Sequence, residues 1–204
     1  MSRLHDVVTL TIEMGSMNAV FDGIQTHADT EHATLLGCWY SDIGALNKVM
    51  VLRRYDSEAA LITERQQLLL GGNPFGCGKH VTDIQIDTYA LFPFLPAIAP
   101  GKRGNVYEMR VYGIKQGCLQ KVIDAWQQAL PEREARSPLL GAMYALDGQV
   151  SRFLNIWPYE SLNERSRLRA LAVSDGVWPP KGGPALLTTL ESSIYLPAPF
   201  SPLC

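Results

Sequence analysis

The chain has 204 residues, 47% hydrophobic and 19% charged, which is enough apolar content to bury a core. A net charge of −2 and a pI of about 6.1 give no sign of a nucleic-acid-binding surface. No apolar run reaches the ~18 residues that cross a bilayer, and residues 1–6 lack the basic start of a signal peptide. We therefore expect a cytoplasmic protein that does not bind membranes.

The first half of the chain predicts the element order strand, helix, strand, strand, helix, strand. The predicted strands are Val7–Ile12, Cys38–Ser41, Lys48–Tyr55 and Thr82–Leu91, with a hairpin at Gly44. Met17, Val20, Phe21 and Ile24 form the apolar stripe of the first helix. Ser57 caps the second helix, and residues 100–104 form a linker by their turn and charge content.

The second half follows the same plan. Its predicted strands are Tyr107–Tyr112, Ala142–Ala145, Val150–Trp157 and Leu190–Tyr195, with a hairpin turn at Asp147-Gly148. Leu119, Val122, Ile123, Trp126 and Leu130 share one helical face, and Pro131 is expected to disturb or end that helix. Ser161 and Glu164 form a capping box that begins the next helix.

The two halves are copies of one unit. Leu35-Leu36-Gly37 returns 104 residues later as Leu139-Leu140-Gly141, and 7 of 25 positions are identical between residues 35–59 and 139–163. A period of about a hundred residues has the length of a small domain. We therefore predict a first repeat at 1–99, a linker at 100–105 and a second repeat at 106–204.

One strand of each repeat is apolar on both faces. Met50 and Leu52 alternate with Val49 and Val51, and such a strand needs cover on both sides. The helices of its own repeat cover one face, and the sheet of the other repeat is the natural cover for the second. The sequence thus predicts an α+β fold: two ferredoxin-like repeats whose antiparallel sheets face each other as an intrachain α+β barrel.

The second half resembles the NIPSNAP family. The resemblance rests on Leu140-Gly141, Gly148, the run 156–162, Glu164-Arg165, Arg169, Asp175, Trp178 and the ending 196–202. The first half is a divergent copy that keeps Leu36-Gly37, Gly44, Tyr55 and Ser57 but has Arg53 where Trp157 stands. The resemblance implies a dimeric α+β barrel, formed here by one chain, and attaches no general catalytic mechanism. The wider fold includes haem-degrading monooxygenases, cofactor-free oxygenases, isomerases and dehydratases, but a shared fold does not determine function.

All four histidines lie in the first repeat, so that repeat is the candidate for a working site. His27 and His32 are candidate general bases because imidazole titrates near neutral pH. His27 and Glu31 would share a helical face, whereas His27 and His32 would not. The alternative is a solvated, polar helix terminus, which is the commoner origin of such a cluster.

The candidate ligand-binding residues are Trp39, Tyr40, Arg53 and His80. An arginine on an apolar strand face should be paired, face a cavity or extend to water, and Arg53 with Tyr40 would stabilise an oxyanion. Residues 71–80 lack the pattern of a phosphate-binding loop. They form either a flexible connection or a lid carrying Cys77 or His80 over a cavity.

Three functions remain open. The first is an enzyme that acts on an aromatic or enolisable small molecule without a metal, through a pocket in the first repeat. The second is a non-catalytic binding or scaffold protein, and the third is a haem-binding protein, although no cofactor is predicted. The four scattered cysteines predict free thiols, no metal site is predicted, and a homodimer is left open.

Overall fold

The two halves of the chain fold with the same order of elements. The computed structural model describes residues 4–204, so residues 1–3 of the stretch inspected for a signal peptide lie outside it. The first repeat comprises β1 (Leu4–Ile12), α1 (Met17–His27), β2 (Ala33–Ile43), β3 (Lys48–Tyr55), α2 (Glu58–Leu70) and β4 (Val81–Leu91). The second comprises β5 (Val106–Ile114), α3 (Leu119–Glu134), β6 (Gly141–Ala145), β7 (Arg152–Tyr159), α4 (Leu162–Ser174) and β8 (Leu187–Pro197).

The eight strands form one closed antiparallel barrel. Each repeat has its strands in the order fourth, first, third, second, and the two repeats join through β2–β8 and β4–β6. The predicted α+β fold is therefore confirmed, with one addition: the facing sheets are hydrogen-bonded along both edges. Closure leaves neither sheet with a free edge strand.

The two-faced strands lie where the sequence predicts. Met50 and Leu52 of β3 belong to the core cluster shared with the second repeat, whereas Val49 and Val51 pack with the apolar stripe of α1. In β7, Leu154 and Arg152 face the barrel interior opposite Val111 and Gly113 of β5. The interior is thus built from alternate residues of both repeats.

Helix α3 differs from its prediction at Pro131. The helix continues to Glu134, and the N–H of Ala135 still donates to the carbonyl of Pro131 at 3.3 Å. A proline inside a helix loses its own hydrogen bond and crowds the carbonyl four residues earlier, at a cost of about 3 kcal/mol. Buried Leu130 and Arg133 on either side of it hold the last turn against the sheet.

The loop between α2 and β4 packs against the first repeat, which differs from the expected flexible connection or lid. Residues Pro74–Gly76 and Gly78–His80 form two short 3₁₀ turns. Phe75 and Cys77 are buried in the cluster of α1, and the Sγ of Cys77 lies 3.1 Å from the Pro74 carbonyl oxygen. Burial of these two side chains fixes the loop against the first repeat.

The segment that joins the repeats is held by the C-terminus. Gly101 forms a parallel bridge with Leu203, and its N–H donates to the carbonyl of Pro202 at 2.9 Å. Gly104 is buried, and a Cβ there would lie 2.6 Å from the Tyr159 carbonyl oxygen. Within residues 4–204, no helix is long and apolar enough to cross a membrane.

Candidate functional site

The barrel encloses a cavity of about 430 Å³, lined by both repeats. Its apolar wall includes Met50, Met109 and Leu154. Polar side chains line the rest, among them Lys48, Asp87, Tyr89, Arg152 and Glu191. A cavity of this volume, part apolar and part polar, is typical of a small-molecule site. We call it the lumen.

An ion pair lies in the lumen beside a tyrosine. Nη2 of Arg152 lies 2.7 Å from Oδ1 of Asp87, and both side chains are largely buried. Nη1 of Arg152 also donates to the Asp147 carbonyl at 3.0 Å, which orients the guanidinium. The guanidinium carbon of Arg152 lies 5.6 Å from the centre of the Tyr89 ring, which brings the positive charge close to that ring.

The hydroxyl of Tyr89 stays protonated at neutral pH. Burial raises its pKa to about 12, and the Asp87 carboxylate contributes to the rise, while Arg152 opposes it. A neutral phenol is a hydrogen-bond donor to a carbonyl or enolate oxygen. Tyr89 and Arg152 therefore supply a donor and a positive charge on one side of the lumen.

The two repeats contribute matching polar residues to the lumen. Tyr89 and Tyr195 pair with β1 and β5 at corresponding registers. Lys48 and Arg152 begin the corresponding strands β3 and β7. Both repeats thus contribute an aromatic hydroxyl and a cation to one shared space.

The predicted site residues do not converge on one pocket. His27 and Arg53 do line the same open cleft of about 340 Å³, together with Glu64 and Phe75. His32 is exposed in the turn before β2, and His80 is half-buried at the end of a 3₁₀ turn. Helix α1 ends at His27, so the expected helical pair of His27 with Glu31 does not form.

Trp39 and Tyr40 are adjacent on β2 and therefore face opposite sides of the sheet. Trp39 is fully buried in the barrel, with its ring centre 5.3 Å from that of Tyr107. Tyr40 packs on Phe21 of α1 at 5.7 Å. The two side chains therefore do not line one pocket together.

Arg53 is already paired, so its predicted role as a substrate anchor lacks a free guanidinium. Its Nη2 and Nε bond the two carboxylate oxygens of Asp6 at 2.7 and 3.2 Å, and its Nη1 reaches Glu64 at 3.4 Å. The Asp6 carboxylate also accepts from the hydroxyl of Tyr55 at 2.7 Å. Arg53 is fully buried, so the alternative of an arginine extending to water is also wrong.

Two signals in the sequence could have indicated the lumen. Strand β4 alternates polar and apolar residues through Gln85, Asp87 and Tyr89, and its tyrosine recurs as Tyr195 in β8. The uneven distribution of histidines points to the first repeat instead. In residues 4–204 no three His, Cys, Asp or Glu side chains are grouped as a metal site requires, and Cys38, Cys77, Cys118 and Cys204 are free.

A closed eight-stranded barrel of two β-α-β-β-α-β repeats with an internal cavity defines a dimeric α+β barrel contained in one chain. Two solved structures share this fold over nearly the whole chain. A candidate monooxygenase from Lactobacillus acidophilus aligns with a TM-score of 0.70 at 11% identity, over 97% of this chain and 94% of that one. An anthrone oxidase-like protein aligns with a TM-score of 0.66 at 11% identity, over 97% and 92%.

The chain belongs to the NIPSNAP family, whose model matches residues 6–72 and 107–202. The match confirms the resemblance and covers both repeats. The NipSnap homolog of Dictyostelium discoideum is 22% identical over 87% of this chain and 78% of its own length. NipSnap homolog 2 of Mus musculus is 25% identical over 83% of this chain, which spans 63% of that relative.

Proposed function

We propose that the protein binds a small aromatic or enolisable molecule in the lumen and acts on it. The observation that carries the proposal is the cavity of about 430 Å³ that combines an apolar wall with Tyr89, Arg152 and Lys48. An aromatic body would lie against Met50 and Met109, with an oxygen atom directed to the cationic side. This moves the predicted site from the first repeat to the space that both repeats share.

The polar residues suit a substrate that develops negative charge on oxygen. Tyr89 donates a hydrogen bond, and the ammonium of Lys48, beside the Asp87-paired guanidinium of Arg152, supplies the positive charge that stabilises an enolate or phenolate. In the lumen, the carboxylates of Asp87 and Glu191 are the candidate bases in place of His27 and His32. This arrangement serves an oxygenase, an isomerase or a dehydratase that works on an enolisable acid.

The names of two proteins that share the fold support the choice of substrate class. One is an anthrone oxidase-like protein and the other a candidate monooxygenase. Both names describe those proteins, and the identity to this chain is only 11%. They make aromatic ketones and phenols the first compounds to screen.

The proposal is tested with benzoylacetate, which is both aromatic and enolisable. Binding is measured by calorimetry, and turnover by oxygen consumption and product mass. Val111→Trp fills the lumen, and Ile62→Trp places the same ring on the exposed face of α2 as the matched control. We expect binding to be lost in the first variant and kept in the second.

The chemical role of Tyr89 is tested by Tyr89→Phe. Loss of one donor to a developing oxyanion lowers kcat by about 10²-fold or more, with KM little changed. A normal kcat in this variant contradicts the assignment. Loss of turnover in His27→Ala, with normal turnover in Val111→Trp, would instead place the site in the first-repeat cleft.

The non-catalytic alternative is supported by apolar side chains on both hairpin tips. Ile43, Leu46 and Leu146 are each about half exposed or more, and exposed apolar groups of this kind also mark partner-binding surfaces. A protein that binds no panel compound and forms a complex in sedimentation would favour this function. Homodimer formation, haem binding and a cytoplasmic location stay predictions.

A further inference from the structure

The helix-covered side of the second repeat carries an excess of positive charge. Glu108 is fully buried, and its carboxylate accepts from Arg110 at 2.8 Å, from Arg169 at 3.3 Å and from Arg165. It also accepts from the hydroxyl of Ser192 at 2.7 Å. Three guanidinium groups therefore share one carboxylate.

A fourth arginine in the same layer has no carboxylate partner. Arg133, in the last turn of α3, is 2% exposed, and its guanidinium carbon lies 4.5 Å from the centre of the Trp157 ring. Its Nε and Nη1 form no hydrogen bond of good geometry within residues 4–204, and the hydroxyl of Tyr159 lies beside the guanidinium. A buried charge is costly when its donors have no acceptor. An anion bound beside Arg133 would supply that acceptor.

A small cavity lies beside the Arg133 side chain. Its volume is about 30 Å³, and it is lined by Arg110, Tyr112, Arg133, Asn155, Trp157, Arg169, Ala172, Val173 and Trp178. One water needs about 10–15 Å³ of cavity, so the space admits two or three heavy atoms. This is the size of a carboxylate group. Chloride would leave donors unpaired, and a tetrahedral phosphate would be too large.

We propose that this second-repeat cavity binds the carboxylate group of a small organic acid, with Arg133, Arg110 and Arg169 as its donors. A planar guanidinium matches the two oxygens of a carboxylate, which makes a strong charge-assisted pair. The rest of the bound ligand extends toward solvent past Val173, which lines the cavity and is 60% exposed on α4. The site lies on the outer side of the sheet, separate from the lumen.

The first repeat differs from the second in how its buried arginine is paired. There, Arg53 has two carboxylates, Asp6 and Glu64, so the cluster needs no external anion. In the second repeat the corresponding strand position is Trp157, and the arginines come from α3, α4 and β5. The first repeat thus pairs its buried arginine with its own carboxylates, whereas Arg133 has no ion pair within the described residues.

The test is a titration with sodium acetate at an ionic strength held constant with sodium chloride. Three of the four tryptophans, Trp126, Trp157 and Trp178, are in mutual ring contact, and Trp157 and Trp178 line the cavity. Tryptophan fluorescence and the thermal midpoint therefore report on it. We expect saturable changes in both. A linear response, or none beyond that of chloride, overturns the proposal.

Arg133→Met is the decisive variant, because it keeps the side-chain stem on Trp157 and removes the donors. We expect acetate affinity to fall about tenfold or more, while Arg136→Met, which removes an ion pair with Asp175 at the surface, leaves it unchanged. Equal affinity in wild type and Arg133→Met contradicts the proposal. Arg169→Met supplies the same comparison from half-exposed α4 if the first variant does not fold.

Discussion

At the scale of single residues, the two repeats differ at one strand position next to a buried carboxylate, and their arginines pair with that carboxylate from different elements. Arg53 and Trp157 occupy matching positions on β3 and β7, opposite Asp6 and Glu108 in the neighbouring strands. With arginine on the strand, the helix supplies an acid, Glu64. With tryptophan there, α4 supplies Arg165 and Arg169. Each buried carboxylate is neutralised, but from a different element.

Arg53→Met should destabilise the protein by about 3–5 kcal/mol, because it leaves the buried Asp6 carboxylate without its main partner. The free energy of unfolding in urea measures this loss. Arg54→Met, at the next and half-exposed position, is the control and should change stability by less than about 1 kcal/mol. Equal losses of unfolding free energy in the two variants would show that the ion pair with Asp6 contributes no more than a surface side chain.

Glu108 should make the fold sensitive to acid. Burial alone would raise its pKa, but the hydrogen bond from Arg165 and the charges of Arg110 and Arg169 hold the pKa below its ordinary value. The carboxylate then stabilises the fold above the ordinary glutamate pKa of about 4.3. That contribution is lost as the pH falls through the lower, folded pKa.

Glu108→Gln should therefore lose less stability than the wild type between about pH 6 and about pH 3, although it is less stable at neutral pH. Urea unfolding at a series of pH values gives both slopes. Asp147, whose pKa is also lowered, by Arg65 and Thr88 against the effect of burial, contributes the same background to both proteins. Parallel curves would remove Glu108 as a source of the pH dependence.

The sequence indicated some of these residues and not others. Arg53 stood out as a charge on an apolar strand, but its partners lie 47 and 11 positions away and appear only with the register of β1 and the packing of α2. Arg133 continues the apolar stripe of α3 and was equally visible as a charge on a buried face. The histidines attracted attention by type, yet type alone does not say where a side chain points.

At the scale of elements, local signals were the most reliable. Ser161 accepts from the N–H of Glu164 at 3.1 Å, as the capping box predicts. The return bond differs, because the carboxylate of Glu164 accepts from the N–H of Glu160 at 2.7 Å and not from that of Ser161. The hairpin at Asp147-Gly148 forms as predicted. Its Asp147 side chain accepts from the N–H of Thr88 and from Arg65, which ties the hairpin to the first repeat. These two bonds join residues that are far apart in the sequence, so no local sequence pattern indicates them.

Ser161→Ala should lower the free energy of unfolding by about 1 kcal/mol, because an N–H at the start of α4 loses its acceptor. Ser166→Ala, one turn into the same helix, removes only a bond to the Leu162 carbonyl and serves as the control. Chemical denaturation of both variants measures the difference. A smaller loss in Ser161→Ala than in Ser166→Ala would contradict the assignment of the cap.

At the scale of the whole molecule, the closed barrel makes the repeats depend on each other. Separation would expose the edges of β2, β4, β6 and β8 and the apolar inner face of both sheets. The sequence predicted that the sheets face each other, because β3 and β7 are apolar on both sides. It did not predict which edges pair, or that the interior stays partly open, because both depend on side-chain packing across the two repeats.

Residues 1–99 and 100–204, expressed separately, should therefore not give stable monomers. We expect each half to aggregate or to pair with a second copy, and the mixed halves to reconstitute a 1:1 complex with the circular dichroism of the intact chain. Light scattering after size exclusion measures the masses. A folded monomer of either half would contradict the mutual dependence of the repeats.

The most direct test of the central claim is methyl NMR of protein labelled at its methionines, titrated with benzoylacetate in an Arg133→Leu background, which silences the second-repeat cavity without adding a methionine. Met50 and Met109 line the lumen, Met17 lies in the helix layer of the first repeat, and Met14 is 89% exposed. We predict that the signals of Met50 and Met109 shift together and saturate, while those of Met14 and Met17 stay in place. A shift confined to Met17 would place the ligand under α1 and contradict the claim that the lumen is the site.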